Sequence, residues 1–344
     1  MKNIGEPEEN DPNIYKHFAH PLCMKVAIVG ASGIGRYHAQ WFHKEGCDVA
    51  AYVGRTPESI QTADRLLKKI FKFEGRGYTS MQEMLQREEP DLVAICTPPE
   101  THYEFAATAL NAGAHVFCEK PLVWGKNSAQ IIEEGRQLIE IARKNDHLIG
   151  INTQYVAAIP WYESLRRQIK GERSESLRSF YFEMESQGNH GRVHYEDLLI
   201  EMTSHPLSML LTWLPEGHIM SEGIKCDVAR KEARAHFGYQ HAKGVCNVEI
   251  VCRHVETTAP LRRFGTNGFI VDCFGKKDEQ QFFKTYLSYG ENELACEDFM
   301  QQSIRHFIQA AEKNDPSLML ASGEQGYRNL LMQEQLHQHA KRRE

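Results

Sequence analysis

The chain is short of the features that assign a protein at a glance. None of its apolar runs approaches the roughly 20 residues needed to span a bilayer. No C-x-x-C pair occurs among its nine cysteines, and Cys96, Cys118 and Cys273 sit inside apolar runs. Scattered thiols of that kind read as buried side chains in a reducing compartment rather than as disulfides or a zinc site. Strong charge of one sign is missing too. The formal net charge is −6 on 344 residues, which gives no electrostatic case for nucleic acid or an acidic membrane. Internal repeats and low-complexity stretches are absent. Residues 1–23 lack an apolar core and carry Glu6, Glu8, Glu9 and Asp11, so they read as a polar extension and not a signal peptide. What remains, 41% hydrophobic and 25% charged, is the composition of a cytoplasmic globular protein of about two domains.

The most informative stretch follows that extension. Residues 26–29 are an unbroken apolar run suited to a strand buried on both faces of a parallel sheet. Gly30, Gly33 and Gly35 come next, and a helix over residues 35–45 follows. Strand, glycine turn and helix in that order suit a dinucleotide pyrophosphate, which needs free N–H groups and close backbone approach. Gly30, Ser32, Gly33, Ile34 and Gly35 are the expected contacts. The G-x-G-x-x-G fingerprint is met only at its outer positions, because Ser32 takes the middle one. An ordinary glycine-rich turn is the bland alternative.

A carboxylate is missing where an NAD site would want one. The second strand, residues 49–53, ends in Gly54, Arg55 and Thr56 instead of the Asp or Glu that accepts from a ribose 2′-hydroxyl. A guanidinium and a hydroxyl suit a 2′-phosphate, so NADP is preferred and NAD stays possible. The alternative is that Arg55 is one more solvated arginine. A helix over 57–69 and a basic loop over 72–77 follow. Ser80 is expected to cap a helix over 81–87. A strand over 91–96 ends in Thr97, Pro98 and Pro99, and a helix over 102–112 ends at Gly113. A strand over 115–118 runs into Glu119, Lys120 and Pro121, and residues 147–151 read as the sixth parallel strand after a helix over 128–145.

Taken together, the glycine turn ending in His38, then Thr97, Pro98, Pro99 and His102, then Glu119, Lys120 and Pro121, resemble the Gfo/Idh/MocA family of oxidoreductases. The likeness continues through residues 150–155 and over most of residues 24–340. It implies an α/β fold: a Rossmann-type doubly wound parallel sheet, then an α+β domain with a largely antiparallel open-faced sheet. The expected division is an extension over 1–23, a nucleotide domain over 24–152 and a substrate and dimerisation domain over 153–344. The resemblance also implies cofactor contacts from Thr97, Pro98, His102 and Glu119, and a homodimer or homotetramer paired through the second sheet.

The resemblance gives Lys120 the main acid–base or polarising role. Physically, a lysine on the crevice floor beside an oxidised nicotinamide is pushed toward the neutral amine, which can exchange a proton with an alcohol or carbonyl. A surface Glu–Lys pair is the plain alternative. The family pattern usually has an arginine where Gln154 stands, so an anionic substrate group would lose its obvious partner. Tyr155 either faces the substrate or packs at the domain junction. Glu201 and His205 are four apart, on one face of an expected helix. They resemble an Asp-x-x-x-His pattern in which the histidine shares proton transfer with the lysine, with Glu201 orienting it or contacting substrate. His190 and His194 invite a metal, but their spacing does not assemble a zinc signature, and they are instead read as lining the substrate pocket. From residue 225 onward, strands are expected over 225–231, 232–239, 245–254, 268–274 and 281–288, and helices over 297–314 and 324–343. Lys341, Arg342 and Arg343 then favour the last helix's dipole.

The expected activity is hydride transfer between NADP(H) and a carbonyl or alcohol carbon of a sugar, cyclitol, or amino or nucleotide-linked sugar derivative. Two rivals stay open: a regulator that senses a nucleotide without turnover, and a glycoside-cleaving enzyme with tightly held NAD in a redox-neutral cycle.

Overall fold

The computed structural model describes residues 24–125, 127–171, 175–187, 195–256, 260–277 and 283–343. The expected polar extension, His190 and His194 lie outside these described residues.

Strands β1 (Lys25–Val29), β2 (Asp48–Val53), β3 (Arg76–Tyr78), β4 (Leu92–Ile95), β5 (His115–Cys118) and β6 (Ile149–Ile151) form one sheet in the order β3-β2-β1-β4-β5-β6. Every pairing in it is parallel. The order reverses between β1 and β4, so a crevice opens beyond their carboxyl ends. Helices α1 (Gly35–Lys44), α2 (Pro57–Ile70), α3 (Met81–Glu88), α4 (His102–Asn111) and α5 (Ser128–Lys144) supply the crossovers. One expectation needs correction. The basic loop over 72–77 is not wholly loop, because residues 76–78 add a short edge strand to β2.

The two-residue side-chain period divides this sheet's core. Ala27 and Val29 of β1 face Leu110 and Leu138, whereas Val26 and Ile28 face Phe42 and Leu67. Both layers also recruit the far end of the chain. Ile304 and Phe307 of α8 (Phe299–Lys313) join the second layer, and Leu330 of α9 (Gly323–Gln338) joins the first. Full burial of side chains this large contributes about 1.5–3 kcal/mol each. Arg305 of α8 adds a two-pronged pair to Glu45, at 2.8 and 2.9 Å. The last two helices are therefore as much part of the first sheet's packing as of the second's.

After α6 (Ala158–Lys170) come β7 (Ser179–Gln187), α7 (Tyr195–Trp213), β8 (His218–Ile219), β9 (Lys225–Val228), β10 (Glu232–His241), β11 (Gly244–Val255), β12 (Arg262–Thr266), β13 (Phe269–Lys277), β14 (Phe283–Tyr289) and β15 (Asn292–Cys296). With β16 (Ala340–Arg342) they make a ten-stranded sheet that is antiparallel except where β7 meets β11 and β9 meets β16. One face packs Phe180, Phe182, Phe237, Val248 and Phe264 against α6 and α7. The other carries ion pairs, including Arg253 with Glu183 and Arg263 with Asp272. The last helix is shorter than expected. It ends at Gln338, and Lys341 and Arg342 lie in β16. There the main-chain ladder to β9 and a two-pronged Arg343–Asp227 pair, at 2.8 and 2.7 Å, outweigh the helix dipole.

Candidate active site

The glycine turn beyond β1 is set by contacts on two of its three glycines. Gly30 has a φ of 91°, and a Cβ there would lie 2.7 Å from the Cys96 carbonyl oxygen. A Cβ on Gly35 would lie 2.4 Å from the Gly30 carbonyl oxygen, so α1 can start this close to β1 only as glycine. Gly33 is different: a Cβ would meet no protein atom within 4 Å. The fold does not require that glycine, and its absent side chain leaves the turn open to an approaching group. Helix α1 begins without a side-chain cap and without an acidic residue in its first turn. Its N–H groups and dipole are thus available to an anion. Ser32 and Ile34 are exposed on this turn. The residues present fit a dinucleotide pyrophosphate.

Arg55 is exposed just past β2. Thr56 is less available than its sequence position suggests. Its hydroxyl accepts from the Ser59 N–H at 3.2 Å, and the Ser59 hydroxyl accepts from the Thr56 N–H at 3.0 Å. That capping box commits Thr56 to the start of α2.

The loop after β4 brings together three more expected residues. Pro98 is exposed and Thr97 half-buried, with its hydroxyl accepting from the Thr101 hydroxyl at 2.8 Å. His102 is fully buried, its Nδ1 2.8 Å from the Pro121 carbonyl oxygen and its Nε2 2.9 Å from that of Thr97. Burial lowers its pKa against the pull of those two carbonyls. A neutral ring has one N–H, so one contact is a hydrogen bond and the other close packing. His102 therefore ties the β4 loop to the β5 loop, and its inaccessible ring does not meet a ligand.

Glu119 is likewise turned inward. Its Oε1 accepts from His38 Nε2 at 2.7 Å and from Asn152 Nδ2 at 2.7 Å. Burial alone would raise this carboxyl. The bond and charge of His38, the charge of Lys120 and the bond from Asn152 outweigh it and hold the pKa below the ordinary glutamate value. An ionised carboxylate only accepts, which makes His38 Nε2 the donor. Three elements, α1, β5 and β6, are thereby joined at the crevice floor. Next to Asn152, Thr153 has a buried hydroxyl with no partner among the described residues.

Lys120 extends the other way. Its Nζ donates to the backbone carbonyl of Glu201 at 2.8 Å. Helix α7 contains Pro206, which has no N–H for the Met202 carbonyl and whose ring loosens this turn. In that turn the adjacent Glu201 carbonyl is reached by Lys120, whereas the Glu201 side chain is exposed. Helix α9 braces the same turn. Gln333 Nε2 donates to the Ile200 carbonyl and Asn329 Nδ2 to the Ser204 carbonyl, each at 2.7 Å.

His205, one turn further, is buried with its ring 5.0 Å from that of Tyr155. Burial first, then the charges of Lys120 and Arg262, push its pKa down to about 3, despite Glu119. It is a neutral imidazole beside a lysine. Its Nδ1 is buried and unpartnered among the described residues. Tyr155 is buried among Phe182, Phe264 and Phe299, and burial raises its phenol. Of its two readings, the packed aromatic is the one observed. Gln154 is half-buried on the same turn.

The site thus gathers Lys120, His205 and the Glu201 backbone, and turns Glu119, His102 and Tyr155 inward. His38, Asn152 and Arg262 belong to it without having been singled out as site residues. His38 and Asn152 lie within quoted motifs, whereas Arg262 had no sequence signal. Among the described residues, no group of three or more His, Cys, Asp or Glu could hold a metal ion, and no helix is long and apolar enough to cross a membrane.

Comparison with known proteins agrees with this fold. The D-glucoside 3-dehydrogenase of Escherichia coli is 29% identical over 147 residues, covering 42% of this chain and 39% of that protein. The chain thus matches only about two fifths of that curated relative's length. The structure of UDP-N-acetylglucosamine 3-dehydrogenase GnnA from Acidithiobacillus ferrooxidans superimposes with a TM-score of 0.68 at 20% identity, covering 92% of this chain and 97% of that one. KijD10, a 3-ketoreductase from Actinomadura kijaniata in complex with NADP and TDP-benzene, gives 0.68 at 17% identity, covering 93% and 98%. Both establish the shared fold. Residues 24–153 match the model of the Gfo/Idh/MocA oxidoreductase family with an NAD-binding Rossmann fold, and it is this part of the chain that is similar to that family.

Proposed function

We propose that this protein is an NADP(H)-preferring oxidoreductase that interconverts an alcohol and a carbonyl on a sugar or a nucleotide-linked sugar. The observation that carries the reading is Lys120, just past the carboxyl end of β5, held by the Glu201 carbonyl of α7 one turn before the buried His205, whose pKa its charge helps to lower. Bound nicotinamide supplies or takes the hydride. In reduction, Lys120 directs an N–H at the carbonyl oxygen, holds the developing oxyanion and delivers the proton that completes the alcohol. His205 takes up or returns a proton beside it. The Glu201 carbonyl aims the lysine, and the Glu119–His38–Asn152 cluster fixes the strand end that carries it.

Arg55 beyond β2, with no carboxylate beside it in the sequence, supports NADP(H) over NAD(H). The names of the relatives, dehydrogenases and a ketoreductase of sugars and sugar nucleotides, support the substrate class. The test is a screen of sugars and sugar nucleotides for NADPH oxidation and NADP⁺ reduction, with Lys120→Ala alongside. Turnover by the wild type with kcat/KM about 10²–10⁴-fold lower in the variant is expected. Equal turnover by both would overturn the assignment of Lys120.

A further inference from the structure

Consecutive arginines at the start of β12 meet different fates. The register pairs Arg262 with Met184 and Phe264 with Phe182, so Arg262 lies on the same side of the sheet as Phe264, the side packed under the helices. Arg263 lies on the opposite side and is matched there, 3.0 Å from Asp272 and 3.9 Å from Glu183. Arg262 is half-buried, and among the described residues no carboxylate pairs with it. Its neighbours are the buried Tyr155 phenol and the His205 ring, whose proton affinity it lowers together with Lys120.

Among the described residues, the carboxylates near Lys120 and Arg262 do not balance the two cations. Glu119 is engaged by His38 and Asn152. The Glu201 side chain is exposed, and its carbonyl, not its carboxylate, meets Lys120. A partly desolvated guanidinium is costly without a counter-charge, and its planar fork fits the paired oxygens of a carboxylate or phosphate. Gln154, on the turn that carries Tyr155, leaves the position of the family's usual arginine without charge. A cation from β12 instead meets the phenol of Tyr155, the residue next to Gln154.

We propose that Arg262 is a substrate-recognition residue that binds an anionic group, a carboxylate or a phosphate, on the molecule whose carbon reacts at Lys120. The proposal rests on the oxidoreductase reading of this crevice. The substrate is then an acidic or phosphorylated sugar, held by Arg262 at one end and by Lys120 at the other.

Isothermal titration calorimetry of the full chain, saturated with NADPH, tests this with inorganic phosphate and with acetate as the probes. Saturable binding of at least one probe is expected, weaker by about tenfold or more in Arg262→Gln and unchanged in Arg263→Gln. Preference for phosphate points to a phosphorylated substrate, and preference for acetate to a carboxylate. Should Arg262→Gln lose native near-UV circular dichroism, Arg262→Lys carries the comparison. It keeps the charge without the fork and is expected to bind the preferred probe more weakly than wild type. Equal binding in wild type and the Arg262 variants, or no saturable binding by wild type, overturns the proposal. NADPH binding is read in the same experiment. Its failure would sink the oxidoreductase reading, and titration of the unsaturated protein would still report on Arg262.

Discussion

Glu119→Gln removes one charge from the crevice floor and changes almost nothing in shape. In the wild type the carboxylate accepts from His38 and Asn152, both at 2.7 Å and both buried. Hydrogen bonds to a charged group contribute about 1.5–3 kcal/mol each, and neutral ones about 1. Exchanging two of the first kind for two of the second costs about 1–4 kcal/mol. Relief of the buried charge's desolvation moves the expectation to the lower half of that range. The sign follows from the titration. The fold holds this carboxyl below its ordinary value, so its contribution is complete above the unfolded pKa, about 4.3. It is lost as pH falls from there through the folded value. Urea unfolding of wild type and variant should therefore show a constant gap near neutral pH that narrows in acid, beginning at about pH 4. Equal stability at neutral pH, or a gap that widens in acid, would refute the reasoning.

The glycine turn and His205 give two further tests. Gly35→Ala forces a methyl to 2.4 Å from a backbone oxygen and should lose about 1–3 kcal/mol by thermal melting. Gly33→Ala meets no protein atom, so it should melt like wild type yet bind NADPH more weakly; unchanged binding would remove Gly33 from the cofactor turn. With its pKa pushed down to about 3, His205 should show ring resonances that stay flat between roughly pH 5 and pH 8. An ordinary histidine titration there would contradict the neutral ring. Because an unfolded histidine protonates near pH ~6.5, this ring's contribution to stability is present above that value and lost as pH falls toward 3.

Local pattern revealed most of the first sheet. Its central strands are continuous apolar runs, and its glycines and prolines fall at their ends. Strand β3 escaped notice because Arg76–Tyr78 is three residues long and mostly polar. In the second sheet, β12 reads as charge and glycine, and Gly265 is there because a Cβ would overlap the Phe269 carbonyl oxygen. Strand β16 looked like a helix end because what holds it is distant in sequence: it pairs with β9, and Arg343 just after it pairs with Asp227, 116 residues away. The docking of α8 and α9 on the first sheet is equally non-local. In the site, motifs located Lys120 and His205, but spacing could not say that Lys120 takes a backbone carbonyl of Glu201 and not its carboxylate. Nor could it join His38 to Glu119, 81 residues apart. Arg262 was invisible because one arginine of a consecutive pair goes under the helices only once the register of β12 on β7 is fixed.

The central claim is a nicotinamide cofactor on the turn between β1 and α1 with its 2′-phosphate at Arg55. Fluorescence titration of wild type and Arg55→Ala with NADPH and NADH tests it directly. Saturable binding of NADPH, tighter than that of NADH, with the difference lost in the variant, is the predicted result. Equal binding of the two by wild type would contradict the part assigned to Arg55, and binding of neither would contradict the account as a whole.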